Sequence, residues 1–473
     1  MLKKYFIAFF IFSFNFFLNA QQQVDPVFPK DIGFVTDTVV EFVWNPITDA
    51  QTYTFQISDN QNFASSTIIS DIIANKFTYT NLEFNKTYYW KAKADNSNWS
   101  STKSFETFSP KGISTINGWF SADYGVSHDI NGFIEKWYDK TDSSKTFYQN
   151  VATSKPLLKE NTETLNNNSV IYFDGLNDYF YYDSSISIGS VFILLNYTKA
   201  SVFTGDGSPG LLTGKTISDI FYGQNGTTNI VTTYLNSTVI NNVLKTNFSL
   251  LPTYKILGGY KNTPTLIPDL TLGQLRNLGS RYWTGNIAEL LLFETKITSD
   301  EATKIHKYFQ NRYTPPINLG EDIIVRNGFG DTSIMAHQPW YVSYQWSTVS
   351  SDSAITVSRR DAYSVTVTDI FGFTSSDTIN VIYPEISYPI SGTDTTICFG
   401  DTIWWDTGLH TDFTYLWQGS TQVSSTIPIF DAGQYSVTVT DSLGYSIQSD
   451  TITVAIDGFN IVDSLGPDRY VCK

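Results

Sequence analysis

Two copies of one stretch decide the fold: Tyr363-Ser-Val-Thr-Val-Thr-Asp369 and, further along the chain, Tyr435-Ser-Val-Thr-Val-Thr-Asp441. In both, tyrosine and valine alternate with serine and threonine, which is typical of a strand with one buried face and one polar face. A Tyr-x-Trp motif precedes each copy and ends at Trp346 and Trp417. The distance in sequence between these two tryptophans is almost the same as that between Tyr363 and Tyr435. A fixed period of about 70 residues built from alternating strands predicts tandem β-sandwich modules, so we expect an all-β fold.

The turn that follows each strand completes the repeat. Gly372 and Gly444 stand where a hairpin turn favours positive φ. This pattern resembles PKD-like modules of the immunoglobulin type, and we assign the two copies to residues 317–384 and 385–458.

A third copy starts near the end of the sequence. Leu319-Gly-Glu-Asp322 recurs two periods later as Leu465-Gly-Pro-Asp468. We therefore expect residues 459–473 to begin a truncated third repeat and the natural protein to continue with further domains beyond Lys473.

The two cysteines occupy equivalent places in successive repeats. Cys398 and Cys472 are separated by one repeat period, and equivalent positions in neighbouring modules lie too far apart for a disulfide bond. In many PKD-like modules a cysteine follows the turn glycine and pairs with one near the module start, but here Phe373 and Tyr445 follow the glycines. We therefore predict that these two cysteines are not linked and that Cys398 is a small buried residue without a partner.

Residues 24–108 form an earlier module with the same strand alternation. Its clearest run is Leu82-x-Phe84-x-Lys86-x-Tyr88-x-Trp90-x-Ala92-x-Ala94. The module resembles fibronectin type III, in which Leu, Pro and Tyr at this spacing form a tyrosine corner. Leu82 and Tyr88 match that pattern, while Phe84 replaces the usual proline. The resemblance implies that the Tyr88 hydroxyl forms a hydrogen bond with backbone upstream.

Residues 113–316 form a larger unit. It begins Gly118-Trp-Phe-Ser-Ala-Asp123 and ends with the strand Ile287-Ala-Glu-Leu-Leu-Leu-Phe293. Thr298-Ser-Asp-Glu301 then opens one helix, for which we expect Ser299 as N-cap. This order resembles the laminin G-like, concanavalin A-like jelly roll, a fold that hosts lectins, adhesion modules, glycanases and spacers.

The start of the chain indicates export. Lys3 and Lys4 precede an apolar run that is short for a membrane span, and Ala20 offers a small residue at the cleavage point. The alternative is an uncleaved membrane anchor. We predict a cleaved signal peptide over 1–20, a secreted or cell-surface location and no membrane span after cleavage. The formal charge of −15 makes nucleic acid an unfavourable partner.

One pair of carboxylates invites comparison with glycanases. Concanavalin-type glucanases that resemble this fold carry Glu-x-Asp-x-x-Glu on one strand, whereas this chain has Leu291 between Glu289 and Glu294. The apolar run between these glutamates favours a core strand over a sugar groove. We therefore predict no catalytic residues and a protein that is not an enzyme.

Binding residues are sought instead in loops of the jelly roll. Tyr179 and Trp283 are candidates to stack on a sugar ring, and Asp174, Asp178 and Asp206 are candidate metal ligands because calcium prefers carboxylate oxygens. The alternative interpretation makes the Asp174-Gly175 pair a turn and Trp283 a core residue. Calcium is thus a possible cofactor, and no other cofactor is expected.

These observations favour a non-catalytic, secreted or cell-surface protein for adhesion or carbohydrate binding. The jelly roll would bind an extracellular glycan or another surface polymer, and the repeats would act as spacers. The alternatives are a structural stalk, or the accessory region of a polysaccharide-degrading enzyme whose catalytic domain lies beyond Lys473. The module order resembles surface proteins of Gram-negative gliding bacteria, which implies type IX secretion.

Overall fold

The computed structural model describes residues 23–457, apart from 48–49, 96, 199–207, 215–218, 228, 245–247, 250–252, 277–278, 326–330, 384–391, 410–412 and 442–445. These residues form strands with one α-helix and three 3₁₀ turns (Pro110–Gly112, Ala152–Ser154 and Glu163–Leu165), so the all-β prediction is confirmed. The segments 1–20 and 459–473 lie outside the described residues. The chain divides into two compact units: one extends to Pro316 and includes Asp369–Phe373, and the other holds the rest from Ile317 onward.

Residues 24–108, called the N-terminal module, contribute eight strands to two sheets. β1, β3 and β6 form one sheet, and the other has the order β2-β8-β7-β4-β5. The strands are β1 (Pro26–Phe28), β2 (Gly33–Val35), β3 (Val40–Trp44), β4 (Tyr53–Ser58), β5 (Thr67–Ile72), β6 (Lys76–Tyr79), β7 (Thr87–Ala94) and β8 (Lys103–Thr107).

Alternation decides which side chains fill this module. In β7 every second residue is buried, including Tyr88 and Trp90, and the Trp90 ring contacts Phe42 at 5.1 Å between centroids. The Tyr88 hydroxyl accepts a hydrogen bond from the Glu83 backbone N–H at 2.9 Å. The expected upstream hydrogen bond of Tyr88 is confirmed.

Residues 113–316, which we call the jelly roll after the sequence prediction, pair a nine-stranded sheet with an eight-stranded sheet. The order of the first is β10-β11-β12-β15-β26-β18-β19-β20-β23, and that of the second is β13-β14-β27-β17-β24-β21-β22, with β9 also on β27. β16 and β25 pair separately. The strands are β9 (Ile116–Ser121), β10 (Val126–His128), β11 (Ile134–Tyr138), β12 (Thr146–Tyr148), β13 (Leu157–Thr162), β14 (Asn168–Asp174), β15 (Phe180–Tyr182), β16 (Ile186–Ser187), β17 (Ser190–Tyr197), β18 (Gly210–Thr213), β19 (Asp219–Gly223), β20 (Asn229–Val231), β21 (Ser237–Ile240), β22 (Val243–Leu244), β23 (Phe248–Ser249), β24 (Lys255–Tyr260), β25 (Leu266–Ile267), β26 (Thr271–Leu272) and β27 (Thr284–Phe293).

Strand β27 is buried on both faces. Leu290 and Leu292 belong to the core between the two sheets, while Leu291 and Phe293 pack into a second core beneath the helix. A strand covered on both sides needs continuous apolar sequence, which explains the Leu-Leu-Leu-Phe run.

The helix α1 (Ser299–Tyr313) supplies that cover and buries Ile305 and Phe309. Its N-cap is Thr298, and the predicted N-cap Ser299 is instead the first helical residue. The Thr298 hydroxyl accepts the Glu301 N–H at 3.2 Å, and the Glu301 carboxylate accepts the Thr298 N–H at 2.8 Å. This reciprocal capping box satisfies two backbone donors. The helix therefore uses Thr298 as its N-cap, one residue before the predicted Ser299.

The two repeats share one strand plan. In the first, β28-β33-β32-β30 form a sheet and β29 pairs with β31; in the second, β34-β40-β38-β36 form a sheet, β39 pairs with β38 and β35 pairs with β37. The strands are β28 (Ile323–Ile324), β29 (Thr332–Met335), β30 (Tyr341–Trp346), β31 (Ala354–Val357), β32 (Asp361–Asp369), β33 (Thr374–Ile382), β34 (Thr395–Cys398), β35 (Ile403–Asp406), β36 (Thr414–Gln418), β37 (Thr426–Ile429), β38 (Gly433–Thr440), β39 (Ser446–Gln448) and β40 (Ile452–Asp457).

The repeated residues do the same work in each copy. The hydroxyls of Tyr363 and Tyr435 each donate to the carbonyl four positions earlier, at 3.0 and 2.9 Å. The indoles of Trp346 and Trp417 each donate to a backbone carbonyl, at 2.8 and 2.9 Å. Gly372 has φ of +87° at its turn, as predicted, and Gly444 lies outside the described residues. The repeat motif is therefore built into the core of each module.

The prediction for Cys398 is wrong. Cys398 is half-buried at the end of β34 and is disulfide-bonded, and the other cysteine of the chain, Cys472, lies outside the described residues. The prediction assumed that the chain after 458 lies a module length away. The segment that joins Asp457 to Cys472 is short, but fully extended it spans up to about 50 Å, so sequence spacing alone did not exclude the bond.

Candidate functional site

The prediction that Trp283 stacks on a sugar ring is wrong, because Trp283 is a core residue. Its side chain is 0% exposed and belongs to the core between the two sheets of the jelly roll. Its ring packs against Tyr197 at 5.2 Å between centroids. Because it directly precedes the doubly buried β27, it presents no surface on which a sugar could stack.

The Asp174–Asp178 segment is a turn whose carboxylates bind backbone. Asp174 Oδ1 accepts the N–H groups of Leu176 and Asn177, at 2.7 and 3.3 Å, and Asp178 Oδ2 accepts the Asp174 N–H at 2.8 Å. Gly175 has φ of +77°, which suits glycine. The alternative interpretation of Asp174-Gly175 as a turn is thus confirmed.

Metal binding has little support from this geometry. Within the described part of the chain, no group of three or more His, Cys, Asp or Glu side chains is placed to hold a metal ion. Asp206 lies outside the described residues. Calcium therefore stays a prediction, with Asp174 and Asp178 as its remaining described ligands.

Asp178 has an unusual titration. Its side chain is 6% exposed, and burial, with the neighbouring Asp174 carboxylate as a further cause, raises its pKa to about 7. Burial disfavours the charged carboxylate because it removes hydration. A protonated Asp178 can donate a hydrogen bond where an ionised one cannot.

Next to this turn, Tyr148, Tyr179, Tyr181 and Tyr282 form a half-buried cluster that we call the tyrosine patch. Tyr148 and Tyr181 are directly opposed across β12 and β15. Their chain neighbours Phe147 and Tyr182 point into the core, so the patch tyrosines lie on the outer face of the nine-stranded sheet.

The rings of the patch contact one another. Tyr179 lies edge-on to Tyr181 at 5.0 Å and stacks on Tyr282 at 6.1 Å, while Tyr148 contacts Tyr181 at 6.1 Å. Burial, followed by the hydrogen bond with the Tyr179 hydroxyl, raises the pKa of Tyr181. The phenol of Tyr181 is therefore neutral at physiological pH and combines an apolar ring with a polar hydroxyl.

Across the neighbouring strands of the same sheet, the residues opposite Tyr181 form a network of hydrogen bonds. Tyr181 is opposite Thr271, and Thr271 is opposite Thr213, whose hydroxyl donates to the Gln274 carbonyl at 2.9 Å. At the end of this network, Arg276 forms an ion pair with the buried Asp219. This network immobilises the strands that carry the patch, so the aromatic surface is preorganised.

Sequence reasoning found Tyr179 but missed Tyr148, Tyr181 and Tyr282. The available signal was the alternation in Phe147-Tyr148 and Phe180-Tyr181-Tyr182, which places one tyrosine of each pair outside when its neighbour is inside. That β12 and β15 are neighbours could not be read from sequence.

Glu289 is a structural carboxylate. It is 0% exposed, and it accepts hydrogen bonds from the Trp119 indole at 2.5 Å, the Tyr308 hydroxyl at 2.7 Å and the Tyr313 hydroxyl at 2.5 Å. Glu294 is exposed and lies just beyond the end of β27. Glu289 is instead enclosed in the core beneath the helix, where its carboxylate is occupied by these three donors.

Comparisons with known proteins give no family for this chain. No family model matches it, and no curated protein matches it. Within the described residues, no helix is long and apolar enough to cross a membrane.

Three solved structures illustrate the similarity that was found. The insect immune protein hemolin is 10% identical with a TM-score of 0.22 and covers 92% of this chain and 100% of its own. The BSP domain of a biofilm-associated protein is 8% identical with a TM-score of 0.14, covering 92% and 95%. The eight N-terminal immunoglobulin domains of Down Syndrome Cell Adhesion Molecule are 8% identical with a TM-score of 0.19, covering 92% and 60%. TM-scores this low carry no argument about function.

Proposed function

We propose that this chain is a non-catalytic, secreted or cell-surface adhesion protein whose jelly roll binds carbohydrate through the tyrosine patch. The observation that carries the proposal is a cluster of four half-buried tyrosines on the outer face of the nine-stranded sheet. A hydrogen-bond network holds the strands beneath it. The repeats act as spacers, since their repeated residues are used in their own cores.

The chemistry of the patch suits a sugar. Aromatic rings offer flat apolar surface at low entropic cost, and phenol hydroxyls both donate and accept hydrogen bonds. The exposed Lys136 lies opposite Tyr148 in the next strand and adds a donor at the rim. A few oriented polar groups around an apolar surface are the usual composition of a ligand site.

Glycan-array screening of the full chain, with calcium and with a chelator, tests the proposal. We expect binding of at least one glycan class, and Tyr179→Ala to weaken it at least about tenfold, which equals about 1.4 kcal/mol. The two calcium conditions show whether Asp174 and Asp178 contribute through a cation.

Tyr172→Ala is the matched control, because Tyr172 is also a half-buried tyrosine of the jelly roll but lies on β14 of the other sheet. It should keep wild-type affinity, and both variants should show cooperative thermal unfolding. Absence of glycan binding in both conditions, or equal losses in the two variants, would contradict the proposal and favour a structural stalk.

A further inference from the structure

A second concave site lies where the N-terminal module meets the jelly roll, within the same compact unit. This cavity, which we call the junction pocket, has a volume of about 400 Å³. That lies at the small end of the range for ligand sites, roughly 300–1,000 Å³. The residues that matter for its chemistry are Phe84, Lys111, Trp119, Tyr124, Lys140 and Arg312.

The junction that forms the pocket is packed. Phe108 contacts Phe34 at 5.5 Å between ring centroids and Tyr308 of α1 at 6.4 Å. Lys304 Nζ of α1 pairs with Glu106 Oε1 of β8 at 2.7 Å. Contacts on several sides hold the two modules in one arrangement, so the pocket is formed before any ligand enters.

Lys140 is the unusual group of the pocket. Its ammonium lies over the Trp119 ring at 4.1 Å and near the Tyr124 ring at 5.2 Å. Among the described residues, no carboxylate lies within ion-pair distance of this half-buried ammonium and no oxygen accepts a hydrogen bond from it. Burial is the largest influence on the pKa of Lys140 and lowers it, against the weaker attraction of Glu289 and Asp123 beyond ion-pair distance.

The pocket is lined by cationic side chains, whereas the chain as a whole carries a negative charge. Arg312 is compensated by Asp123 at 2.9 Å and by Glu289 at 3.6 Å. In the part of the chain that the structure describes, neither Lys140 nor the exposed Lys111 has a carboxylate at ion-pair distance, and no residue lining the pocket is acidic. In a chain with a formal charge of −15, this local concentration of cations favours an anionic group in the pocket.

The rim of the pocket adds apolar surface. Tyr124 is 48% exposed and Phe84 is 41% exposed, and both line the cavity beside Lys140. Exposed rings next to a cation that forms no ion pair suit a ligand with one flat apolar face and one negative charge.

We propose that the junction pocket binds a hexuronate, that is, a carboxylate-bearing sugar unit of an acidic polysaccharide. The carboxylate pairs with the Lys140 ammonium, with Lys111 adding longer-range attraction. The sugar ring lies against Tyr124 and Phe84. This site is separate from the tyrosine patch and does not depend on it.

Isothermal titration of the full chain with trisaccharides of galacturonate, mannuronate and glucuronate tests this inference. At least one should bind, and its affinity should fall as salt is added because the contact is ionic. Any binding of a neutral galactose trisaccharide should be unchanged by Lys140→Met, because a neutral sugar forms no ion pair. Lys140→Met keeps an apolar stem and removes the charge, so it should weaken binding at least about tenfold.

Lys296→Met is the matched control, since Lys296 is an exposed lysine of the jelly roll that lies outside both the pocket and the tyrosine patch. It should bind uronates like wild type. The titrations are also run in a Tyr179→Ala background, in which the tyrosine patch is weakened, so that a loss of uronate binding on adding Lys140→Met is assigned to the pocket. No binding of any of the three uronates, an equal loss of neutral-sugar binding in Lys140→Met, binding of a sulfated trisaccharide alone, or an unchanged uronate affinity in Lys140→Met would overturn the inference. Thermal unfolding verifies that each variant is folded.

Discussion

At the scale of single residues, the surroundings of a carboxylate decide its role. Glu289 and Asp178 are both buried acids of the jelly roll. Glu289 accepts three side-chain hydrogen bonds, whereas Asp178 accepts one from backbone and faces a second carboxylate. The first is a structural anchor, and the second is a group whose charge is costly in the folded state.

Asp178 should therefore make stability depend on pH. Its pKa in the folded protein is about 7 against an ordinary value of 3.8, so between these values the folded state binds more protons than the unfolded state. Stability from this group is present at low pH and is lost as the pH rises through about 7. We expect Asp178→Asn to gain on the order of 1–3 kcal/mol relative to wild type between about pH 5 and about pH 8. Chemical denaturation at several pH values measures this difference.

The control is Asp183→Asn. Asp183 also accepts one backbone N–H, from Thr146 at 3.1 Å, but its side chain is exposed. An equal gain in this exposed control would mean that the effect of Asp178→Asn does not arise from burial. An Asp178→Asn variant that keeps the wild-type pH profile would refute the raised pKa.

At the scale of elements, helix α1 shows how a local signal supports long-range packing. The capping box at Thr298 starts the helix, and the helix then delivers Tyr308 and Tyr313 to Glu289 on β27. It also covers the outer face of the eight-stranded sheet. The same helix therefore satisfies a buried charge and closes a core.

We expect Thr298→Ala to destabilise the jelly roll by about 1 kcal/mol, because the Glu301 N–H loses its acceptor at the helix start. Denaturant unfolding followed by tryptophan fluorescence measures the change. Thr303→Ala is the control: Thr303 lies inside the same helix, where its hydroxyl only bonds back to the Ser299 carbonyl at 2.9 Å. It should be neutral or slightly stabilising, given the helix propensity of alanine. Equal costs at both positions would exclude a specific capping effect.

At the scale of the whole molecule, the junction between the N-terminal module and the jelly roll is an interface with its own ion pair. Lys304 and Glu106 are each about one-third exposed, at 33% and 31%, and their charged atoms are 2.7 Å apart. The pair lies beside the aromatic contacts of Phe108. It joins segments that are far apart in sequence.

Reversing one charge at this junction should loosen it. Glu106→Lys places two cations together and should destabilise the unit by roughly 1 kcal/mol, and the double variant Glu106→Lys/Lys304→Glu should recover part of that loss. Recovery will be incomplete because Asp300 lies 3.8 Å from the Lys304 ammonium. Denaturant unfolding of the single and double variants gives the coupling energy.

The matched control is the Lys76–Glu41 pair within the N-terminal module, at 3.1 Å with side chains 54% and 50% exposed. Its greater exposure predicts a smaller effect for Glu41→Lys. If the junction pair shows no more coupling than this surface pair, the ion pair does not contribute to holding the modules together.

The sequence alone determined the class of fold and the faces of its strands. Alternation in Tyr363–Asp369 showed which residues are buried, and the apolar run before Phe293 indicated a core strand. The resemblance to the tyrosine corner of fibronectin type III implied the hydrogen bond of Tyr88. These features could be predicted because each depends on neighbours within a few residues, where the strand period and turn chemistry act directly.

Only the tertiary structure decided which distant strands meet. Tyr148 and Tyr181 are well separated in sequence yet directly opposed, Lys140 lies over Trp119 in a pocket completed by another module, and Cys398 has a disulfide partner that spacing did not indicate. Trp283 was left open between surface and core until its packing was known. Strand order and register are set by the packing of the whole sandwich, and local alternation is compatible with many of them.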